Sequence, residues 1–377
     1  MRERRADVVV VGGGIVGLAH AWHAHRAGLS VLVVERDEFA VGASVRNFGH
    51  VCTTAQAGLV LELARAARED WLTLGADAGL PVVTAGTVVV ARTDAEARVL
   101  DEFASSRDED EVRLLEPAEA RAQLGFAPPG LVAAAHLPRD LRVNAPDAIP
   151  AITAHLASQG VGLLARTAVQ DVGEEIVRTT RGTIRAERVV VAVGHDVDRF
   201  FPDLADEAGV RRCRLRMLEV DAPGAARVAP AVLTGTSILR YDGLAAMPAA
   251  EAVRAEIAAT APALVDQQVN LMLTQRPDGR LVLGDTHHYG VTETPFEDEA
   301  SDELLLAEFR RLLGAEELTV RRRWRGVYAS STRGPFLVAE PIPGVTVASV
   351  TTGVGMTTAL GLARSVLAEQ AVASVTG

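Results

Sequence analysis

Residues 8–17 read VVVVGGGIVG, and four β-forming residues there lead directly into a G-x-G-x-x-G turn. The apolar spacing of residues 15–27 is helical, so the turn joins a strand to a helix. In such a turn Gly12 permits the tight bend, Gly14 lets the backbone approach a pyrophosphate, and Gly17 lets the helix pack against the sheet. The N–H groups and the dipole at the helix start then face the phosphate charge.

The segment that follows completes a βαβ unit. A second apolar run occupies residues 31–34 and ends at Glu35. This acid lies about 20 residues past the glycines, where a carboxylate receives the ribose hydroxyls. The alternative is an ordinary glycine-rich turn, which requires no acid at that spacing. We therefore predict a dinucleotide-binding unit at the start of the chain.

The composition is that of a globular protein, with 48% hydrophobic and 23% charged residues among 377. This length allows one large domain or two interleaved ones, each with a sizeable core. The formal net charge of −11 argues against nucleic acid as a partner. All 38 basic residues are arginine, so no lysine amine is available to any site.

The two cysteines, Cys52 and Cys213, have neither metal-ligand spacing nor the spacing of a disulfide framework. We therefore expect no metal site and a reducing, cytoplasmic location. Residues 1–5 are basic and precede an apolar run, as in a secretory signal, but three adjacent glycines favour a strand and turn. No unbroken run of 18 apolar residues occurs, so no membrane span is predicted.

Patterns of a nucleotide-binding fold recur near residues 145–195 and at the end of the chain, where residues 351–358 open a last helix. The segments between them are typical of an antiparallel sheet with helices. We predict an α/β fold with an α+β insert, in which a Rossmann-like domain is assembled from separated segments. The predicted cofactor-binding domain comprises residues 1–80, 145–211 and 320–377, and the inserted substrate-binding domain, on a mostly antiparallel sheet, comprises residues 81–144 and 212–319.

Several local predictions accompany this division. Residues 161–169 are expected to form one strand, and residues 176–185 a hairpin around Arg181-Gly182. Residues 302–313 have the spacing of an amphipathic helix, and residues 318–324 that of a strand with an exposed arginine face.

Taken together, the motifs resemble those of the D-amino-acid-oxidase-type FAD-dependent oxidoreductases, which include glycine, sarcosine and dimethylglycine oxidases. The resemblance covers nearly the whole chain and depends on the full set, because the first motif alone is a weak signal. Its anchors are Gly12-x-Gly14-x-x-Gly17, Glu35, Gly42-Ala43-Ser44-x-Arg46-Asn47-x-Gly49, the strand at residues 189–194, Trp324-x-Gly326 and Gly353-x-Gly355-Met356-Thr357.

A narrower resemblance is to a branch of that family associated with phosphonate breakdown. It is carried by residues 44–51, 283–290 and 324–328, which read SVRNFGHV, LGDTHHYG and WRGVY. That branch is proposed to oxidise aminophosphonates related to 2-aminoethylphosphonate.

The family resemblance implies FAD as the cofactor. The turn at residues 353–357 would aim backbone N–H groups and a helix dipole at the flavin N1–C2 carbonyl, where negative charge appears on reduction. Glu35 would hold the adenosine ribose, and Val169 would lie by the adenine. The residues implied to contact FAD are Gly12, Gly14, Ile15, Val16, Gly17, Glu35, Arg36, Ser44, Arg46, Asn47, Val169, Gly194, Gly353, Gly355, Met356 and Thr357.

The sequence departs from the family in ways that bear on substrate and cofactor attachment. Glycine- and D-amino-acid-oxidase-like members place an arginine two residues beyond the glycine of Trp-x-Gly, to hold the substrate carboxylate. Here that position is Tyr328, so the usual grip on an α-amino acid is missing or moved. Residues 326–328 also lack the cysteine through which sarcosine-oxidase-like members bind flavin covalently, so we expect non-covalent FAD.

An anionic group of the substrate must then be held by other side chains. Our candidates for substrate binding are Arg240, Tyr241, His287, Tyr328 and Arg333, and our candidates for assistance in catalysis are His50 and His288. Each also has a structural interpretation: His50 as a turn cap, Arg240 and Arg333 as surface charges, and one of the adjacent histidines pointing away from the other on a strand.

We therefore predict an FAD-dependent enzyme that oxidises the C–N bond of a small amine by hydride transfer to flavin N5 and imine hydrolysis. The leading candidate for this amine is an aminophosphonate related to 2-aminoethylphosphonate. Electrons would pass to oxygen or another acceptor. The alternatives are an amino-acid oxidase or dehydrogenase of the glycine or sarcosine type, and a non-catalytic flavin-bearing subunit of a larger oxidase. An NAD-dependent dehydrogenase with the same βαβ start is disfavoured by the terminal Gly353-x-Gly355 turn and the split layout.

Overall fold

The structure is a computed structural model that describes the backbone of residues 4–376 and the side chains of residues 4–368. It contains two large sheets and a two-stranded one. The strands, in chain order, are β1 (Arg4–Val11), β2 (Val31–Val34), β3 (His50–Val51), β4 (Thr87–Ala91), β5 (Arg113–Leu115), β6 (Ala133–Leu137), β7 (Leu141–Arg142), β8 (Gly162–Leu164), β9 (Val169–Gly173), β10 (Ile176–Thr179), β11 (Gly182–Val191), β12 (Arg211–Val220), β13 (Ala231–Leu233), β14 (Met272–Gln275), β15 (Leu281–Gly284), β16 (His288–Gly290), β17 (Val320–Ser330), β18 (Phe336–Ile342) and β19 (Val345–Val350).

Helices connect these strands. The α-helices are α1 (Ile15–Arg26), α2 (Gly58–Asp77), α3 (Asp94–Ser105), α4 (Pro117–Leu124), α5 (Ala145–Ser158), α6 (Pro202–Glu207), α7 (Gly235–Ile238), α8 (Asp242–Ala245), α9 (Ala250–Thr260), α10 (Pro262–Asp266), α11 (Glu299–Leu313) and α12 (Gly355–Thr376). Short 3₁₀ helices occur at Ala43–Val45, Gly194–Arg199 and Pro223–Ala225. No helix in the described part of the chain is long and apolar enough to cross a membrane.

The first sheet has the strand order β18-β19-β11-β1-β2-β8, and all neighbours in this order are parallel except β18 and β19. Two further strands of the sheet, β9 and β10, are antiparallel to each other, and β10 is antiparallel to β11. Val8 and Val10 of β1 pack into the core beneath α1, α2, α5 and α12, whereas Val9 and Val11 pack into the core on the opposite face. A parallel strand covered on both faces reads as a continuous apolar run, which explains the four valines of the opening motif.

The second sheet has the order β16-β12-β15-β14-β13-β4-β6-β5, and β17 pairs with the free side of β12. Its pairs are antiparallel except β13 with β4, which confirms the predicted mostly antiparallel insert. By sheet membership the insert continues through β17, beyond the division predicted at residue 320. The reason is that β17 hydrogen-bonds to β12 along its whole length, and the chain returns to the first sheet only at β18.

The local predictions have different outcomes. The hairpin at residues 176–185 is confirmed, with Thr179 opposite Gly182, and so is the helix predicted at residues 302–313. The single strand predicted over residues 161–169 is wrong. After β8 the chain leaves the sheet, and the N–H groups of Arg166 and Thr167 donate instead to carbonyls of the segment after β2. The next strand begins only at β9.

The arginine face of β17 is confirmed as exposed. Arg321 pairs with Asp221 at the surface, whereas Arg323 pairs both with the exposed Glu299 and with the buried Asp302, so charge pairing accounts for both arginines.

Candidate active site

A cavity of about 1310 Å³ is lined by residues of both large sheets. One part of its wall is the turn between β1 and α1, and another is formed by β16, β17 and the segment after α7. Pockets for small ligands have volumes of roughly 300–1,000 Å³, so this cavity has room for a ligand larger than one small molecule.

The turn between β1 and α1 requires its glycines. Gly12 has φ +108°, and a Cβ on it would lie 2.5 Å from the carbonyl oxygen of Ala192. A Cβ on Gly17 would lie 2.0 Å from the carbonyl oxygen of Gly12. A side chain at either position would force the strand, the turn and the helix apart. Gly17 therefore acts through packing and does not line the cavity, whereas Gly12 and Gly14 line it.

Glu35, at the end of β2, holds this turn in place. Its Oε2 accepts the N–H of Gly13 at 2.8 Å, and its Oε1 accepts the N–H of Asp37 at 2.9 Å. The side chain also lines the cavity. A carboxylate can accept further hydrogen bonds beyond these two, so Glu35 remains able to receive hydroxyl groups.

The loop at residues 42–49 lies beside the start of α1. Ser44 Oγ accepts the N–H of Ile15 at 2.9 Å, and this contact connects the loop to the first turn of the helix. Asn47 Nδ2 donates to the carbonyls of Ala43 and Ser44, and its Oδ1 accepts the N–H of Gly49 at 2.7 Å. Asn47 therefore stabilises the loop that carries Ser44 and the following Arg46 into the cavity wall.

The turn before α12 forms another part of the wall. Gly353 has φ +77°, and a Cβ on it would lie 2.8 Å from Cζ of Tyr328. The carbonyl of Met356 accepts the indole N–H of the buried Trp71 at 2.7 Å, and Thr357 Oγ1 accepts the N–H of Cys52 at 3.1 Å. The N-terminus of a long helix is thus fixed at the cavity by contacts from several segments, with its dipole directed into the cavity.

At the second part of the cavity, Arg240 is the central cation. Its Nη2 donates to the Tyr328 hydroxyl at 2.6 Å and its Nη1 to the Tyr289 hydroxyl at 3.0 Å. The adjacent turn at α7 is fixed by a capping box in which Thr234 and Ser237 exchange hydrogen bonds. Among the described residues, no carboxylate forms a salt bridge with Arg240. Burial opposes its charge, but the two phenols and Asp285 outweigh that effect and raise the pKa of Arg240.

Asp285 and His287 lie next to this cation. Both are buried, at 4% and 3% exposure, and both line the cavity. His287 Nδ1 contacts the carbonyl of Gln268 at 2.8 Å, and its Nε2 lies 3.7 Å from Asp285 Oδ2. Burial and the charge of Arg240 hold the pKa of His287 well below its usual range, whereas burial raises the pKa of Asp285 to about 7.

His50 belongs to a separate buried network. Its Nε2 lies 2.7 Å from the hydroxyl of Thr87, which donates to Asp140 Oδ2 at 2.7 Å, so Nε2 carries the proton. His50 Nδ1 is buried and has no hydrogen-bond partner in the described part of the chain. His50, Cys52 and Asp140 place ligand-type atoms within 4.8 Å of one another. However, Asp140 already accepts three hydrogen bonds. Burial, and to a smaller extent the charge of Asp140, raises the pKa of the Cys52 thiol. Both facts favour a hydrogen-bonded network over a metal site.

The profile of the family described as "DAO: FAD dependent oxidoreductase" matches residues 7–370. The chain belongs to this family. FAD is therefore its cofactor, and the enzyme class predicted from the sequence, an FAD-dependent oxidoreductase, is confirmed.

Two curated relatives agree with this assignment. A glycine oxidase of Geobacillus kaustophilus (strain HTA426) is 30% identical over 211 residues, which is 50% of this chain and 55% of that protein. A D-amino acid dehydrogenase of Helicobacter pylori is 42% identical over 55 residues, or 15% of this chain and 13% of that one. The alignment thus spans about half of the first relative and a small part of the second.

Solved structures share the fold over nearly the whole chain. The glycine oxidase from Geobacillus kaustophilus gives a TM-score of 0.77 at 23% identity and covers 97% of this chain and 95% of its own. L-Proline dehydrogenase from P. horikoshii gives 0.78 at 18% identity, with 96% and 92% covered. Iminodiacetate oxidase from Chelativorans sp. BNC1 gives 0.74 at 18%, with 95% and 93% covered. The resemblance confirms the predicted fold class.

The cavity of this DAO-family chain has the features that FAD requires. The glycine positions at which a Cβ would collide let β1, the turn and α1 pack closely at the cavity wall, and Glu35 lies one strand away for the ribose. The start of α12 offers its dipole to the charge that a reduced flavin carries. Arg36 lies at the cavity edge and donates to Asp196 at 2.7 Å.

The structure brings most of the predicted site residues to one cavity. Of the predicted FAD contacts, all except Gly17 line it, including Ile15, Val16, Val169 and Gly194. Of the substrate and catalytic candidates, the residues that line it are His50, Arg240, Tyr241, His287, His288 and Tyr328. Arg333 does not: it is exposed, outside the lining, and its side chain packs near Gly209. The surface-charge interpretation applies to Arg333.

Sequence reasoning did not select Asp285 and Tyr289 as site residues. Both flank His287 and His288 in the stretch that carries the narrower resemblance, which was the available signal. They were missed because an acid or a phenol beside a strand has many structural uses. The pairing of β12 with β16 and β17 places both Tyr289 and Tyr328 opposite Cys213, and backbone hydrogen bonds to Asn270 position Asp285.

Proposed function

We propose that this DAO-family enzyme oxidises the C–N bond of a small amine that carries an anionic group, and that Arg240 binds this anion. The observation that carries the proposal is the position of Arg240. It lines the cavity, donates to two phenols and forms no salt bridge with a carboxylate of the described residues. A partly buried guanidinium with no carboxylate within salt-bridge distance leaves part of its desolvation cost uncompensated, and an anionic ligand would offset that cost.

We further propose a phosphonate as the anion. Arg240, Tyr289 and Tyr328 present donors from three side chains on different strands and turns. Donors that converge from several directions suit a tetrahedral group with three oxygens, whereas a planar carboxylate favours a paired, bidentate arginine. The preferred substrate would be 2-aminoethylphosphonate or an N-methylated or hydroxylated relative.

A second candidate is supported by similarity. Glycine oxidase is among the relatives, and Arg240 could hold an α-carboxylate in place of the arginine that Tyr328 replaces. In this case the enzyme would be an amino-acid oxidase or dehydrogenase. The two candidates share the reaction and differ only in the anion.

In either case bound FAD would supply the hydride acceptor for the carbon next to the nitrogen, and water would hydrolyse the resulting imine. The residues of the chain orient the substrate. Arg240 and its two phenols would hold the anion, and the N-terminus of α12 would stabilise the negative charge that develops on reduction. His50 Nδ1 and His288 are available to assist proton transfer. Electrons would leave to oxygen or another acceptor.

The test is anaerobic reduction of the bound flavin, followed by its absorbance, with a panel of amines. We expect aminoethylphosphonates to reduce the flavin faster than glycine, sarcosine or D-alanine. Arg240→Met should raise KM for the phosphonate by about 10–100-fold, because one charge-assisted contact contributes roughly 1.5–3 kcal/mol. Arg333→Met makes the same chemical change at an exposed site outside the cavity and should leave KM unchanged.

Each outcome separates the candidates. Faster reduction by glycine or sarcosine would contradict the phosphonate and favour the glycine-oxidase type. Equal KM values in the two arginine variants would contradict the anion site at Arg240. Failure of every amine to bleach the isolated chain would favour a non-catalytic flavin-bearing subunit.

A further inference from the structure

We propose that Asp285 accepts the proton that the substrate ammonium group must lose before its C–N bond is oxidised. This inference deepens the proposed function and rests on it. It makes Asp285 a catalytic residue in addition to Arg240, and it defines the substrate as an amine whose anion and ammonium bind to adjacent groups of one cavity wall.

The carboxyl group of Asp285 is held firmly and has a free acceptor atom. Its backbone N–H donates to the carbonyl of Asn270 at 2.7 Å, and its own carbonyl accepts the N–H of Asn270 at 2.9 Å. The side chain is 6% exposed and lines the cavity, yet Oδ1 has no hydrogen-bond partner among the described residues. An unsatisfied buried carboxylate oxygen in a ligand cavity requires a donor, and a substrate ammonium has three.

The neighbouring histidine does not supply that donor. A backbone carbonyl can only accept, so the contact between His287 Nδ1 and the carbonyl of Gln268 places the ring proton on Nδ1. In the neutral ring Nε2 then carries a lone pair, and this atom faces Asp285 Oδ2 at 3.7 Å. Because burial and Arg240 keep His287 neutral at working pH, no cation forms a salt bridge with Asp285 in the described part of the chain.

The charged and titratable groups around Asp285 suit a proton acceptor. Arg240 and Tyr241 face it from the segment after α7, Cys213 from β12 and His287 from its own segment. Burial raises the pKa of Asp285 to about 7 although Arg240 opposes the effect. The carboxyl group therefore exchanges a proton near neutral pH, which is the condition for an efficient general base.

The step balances without a co-reactant. One N–H bond of the ammonium breaks, one O–H bond forms on Asp285, and the electron pair of the broken bond stays on nitrogen. The charge of the amine and that of the carboxylate are both neutralised, and no electrons are transferred. The free electron pair on nitrogen is what the later hydride loss from carbon requires, since it becomes part of the imine bond.

The test uses the FAD-loaded enzyme and the amine of the panel that reduces it fastest. The rate of anaerobic flavin reduction is measured from about pH 6 to 10 for wild type, Asp285→Asn and Asp285→Glu. Without a base, only amine that is already neutral reacts, and an alkylamine has a pKa near 10. We expect Asp285→Asn to lower the rate at pH 7 by about 100-fold or more, to recover about tenfold per pH unit, and Asp285→Glu to restore part of the rate at pH 7.

Two further variants complete the experiment. Asp203→Asn makes the same change at an exposed acid outside the cavity lining and should keep the wild-type profile. His50→Asn removes another buried acceptor atom that has no partner among the described residues, His50 Nδ1, and should keep the pH break that Asp285→Asn abolishes. FAD content and the far-UV circular dichroism spectrum show whether each variant is folded, and Asp285→Glu supplies a folded comparison if Asp285→Asn is not.

Three results would overturn the proposal. They are a wild-type rate at pH 7 in Asp285→Asn, a loss of rate that does not recover at high pH, and a pH break that disappears with His50→Asn but persists with Asp285→Asn. A wild type that no anionic amine reduces overturns the proposed function itself, and with it this inference. Normal reduction of the wild type by an anionic amine therefore isolates the role of Asp285.

Discussion

Replacing Glu35 with alanine removes the carboxylate that joins the end of β2 to the phosphate-binding turn. In the structure this group accepts the N–H groups of Gly13 and Asp37, at 2.8 and 2.9 Å. Hydrogen bonds to a charged group contribute about 1.5–3 kcal/mol each, and partial exposure of Glu35 moves these toward the lower end. We therefore expect the free energy of unfolding of the apoprotein to fall by about 2–3 kcal/mol.

The same change should weaken FAD binding. If the carboxylate also receives a ribose hydroxyl, its loss raises the Kd for FAD by about one to two decades, beyond the effect on stability. Denaturant unfolding of the apoprotein measures the first effect, and titration of the apoprotein with FAD, followed by quenching of flavin fluorescence, measures the second.

Asp7→Ala provides a matched control. Asp7 is a partly exposed carboxylate on the same sheet, and it accepts the N–H and the hydroxyl of Ser30 at 2.7 Å each. It does not line the cavity. Asp7→Ala should lower stability and leave the Kd for FAD unchanged. A specific role of Glu35 in FAD binding is refuted if Glu35→Ala binds FAD as tightly as wild type, or if both variants weaken FAD binding equally.

The remaining predictions concern cofactor attachment, the anion site and pH. Acid precipitation of the holoenzyme should release all flavin into the supernatant, and yellow colour in the pellet would contradict non-covalent binding. Tyr328→Phe should raise KM for the preferred anionic amine about tenfold with little change in kcat. Tyr289→Phe should raise KM less, because its hydroxyl lies 3.0 Å from Arg240 and that of Tyr328 lies 2.6 Å from it. Equal KM values of the two variants in steady-state kinetics would contradict this order. Burial lowers the pKa of His20 to about 4, so the unfolded chain binds a proton that the folded one excludes as pH falls from about 6.5 to 4. This costs up to about 3 kcal/mol of stability across that window, and urea unfolding of His20→Leu should show correspondingly less acid sensitivity.

The nucleotide end of the molecule could be predicted from the sequence because its determinants are local. The turn after β1, the acid after β2 and the turn before α12 each depend on residues close together in the chain, and a residue with a side chain does not fit the glycine positions of these turns. Gly12 and Gly353 have positive φ, and a Cβ atom at either position would lie closer to an atom of another segment than a normal van der Waals contact allows. Such requirements leave a clear trace in a single sequence.

The substrate end could be predicted only as a set of candidates. Arg240 meets Tyr289 and Tyr328 across separations of 49 and 88 residues, and the register of β12 with β17 decides which residues of those strands face it. Strand register could not be read from the single sequence, so Arg333 and Arg240 were equally good candidates for substrate binding. The structure separates them, since one lines the cavity beside two phenols and the other is exposed outside it.

Tyr328 connects the predicted nucleotide-binding part of the cavity with the predicted substrate-binding part. Its hydroxyl accepts from Arg240, and its ring occupies the space where a side chain at position 353 would lie, 2.8 Å from that Cβ position. Because Gly353 belongs to the turn before α12, the residue that fixes the guanidinium also packs against the turn predicted to face the flavin. A phenylalanine keeps that packing and removes only the hydrogen bond, whereas an arginine would change both. An arginine at position 328 would therefore disturb the packing of the turn before α12, and for this reason we do not expect Tyr328→Arg by itself to create an amino-acid site.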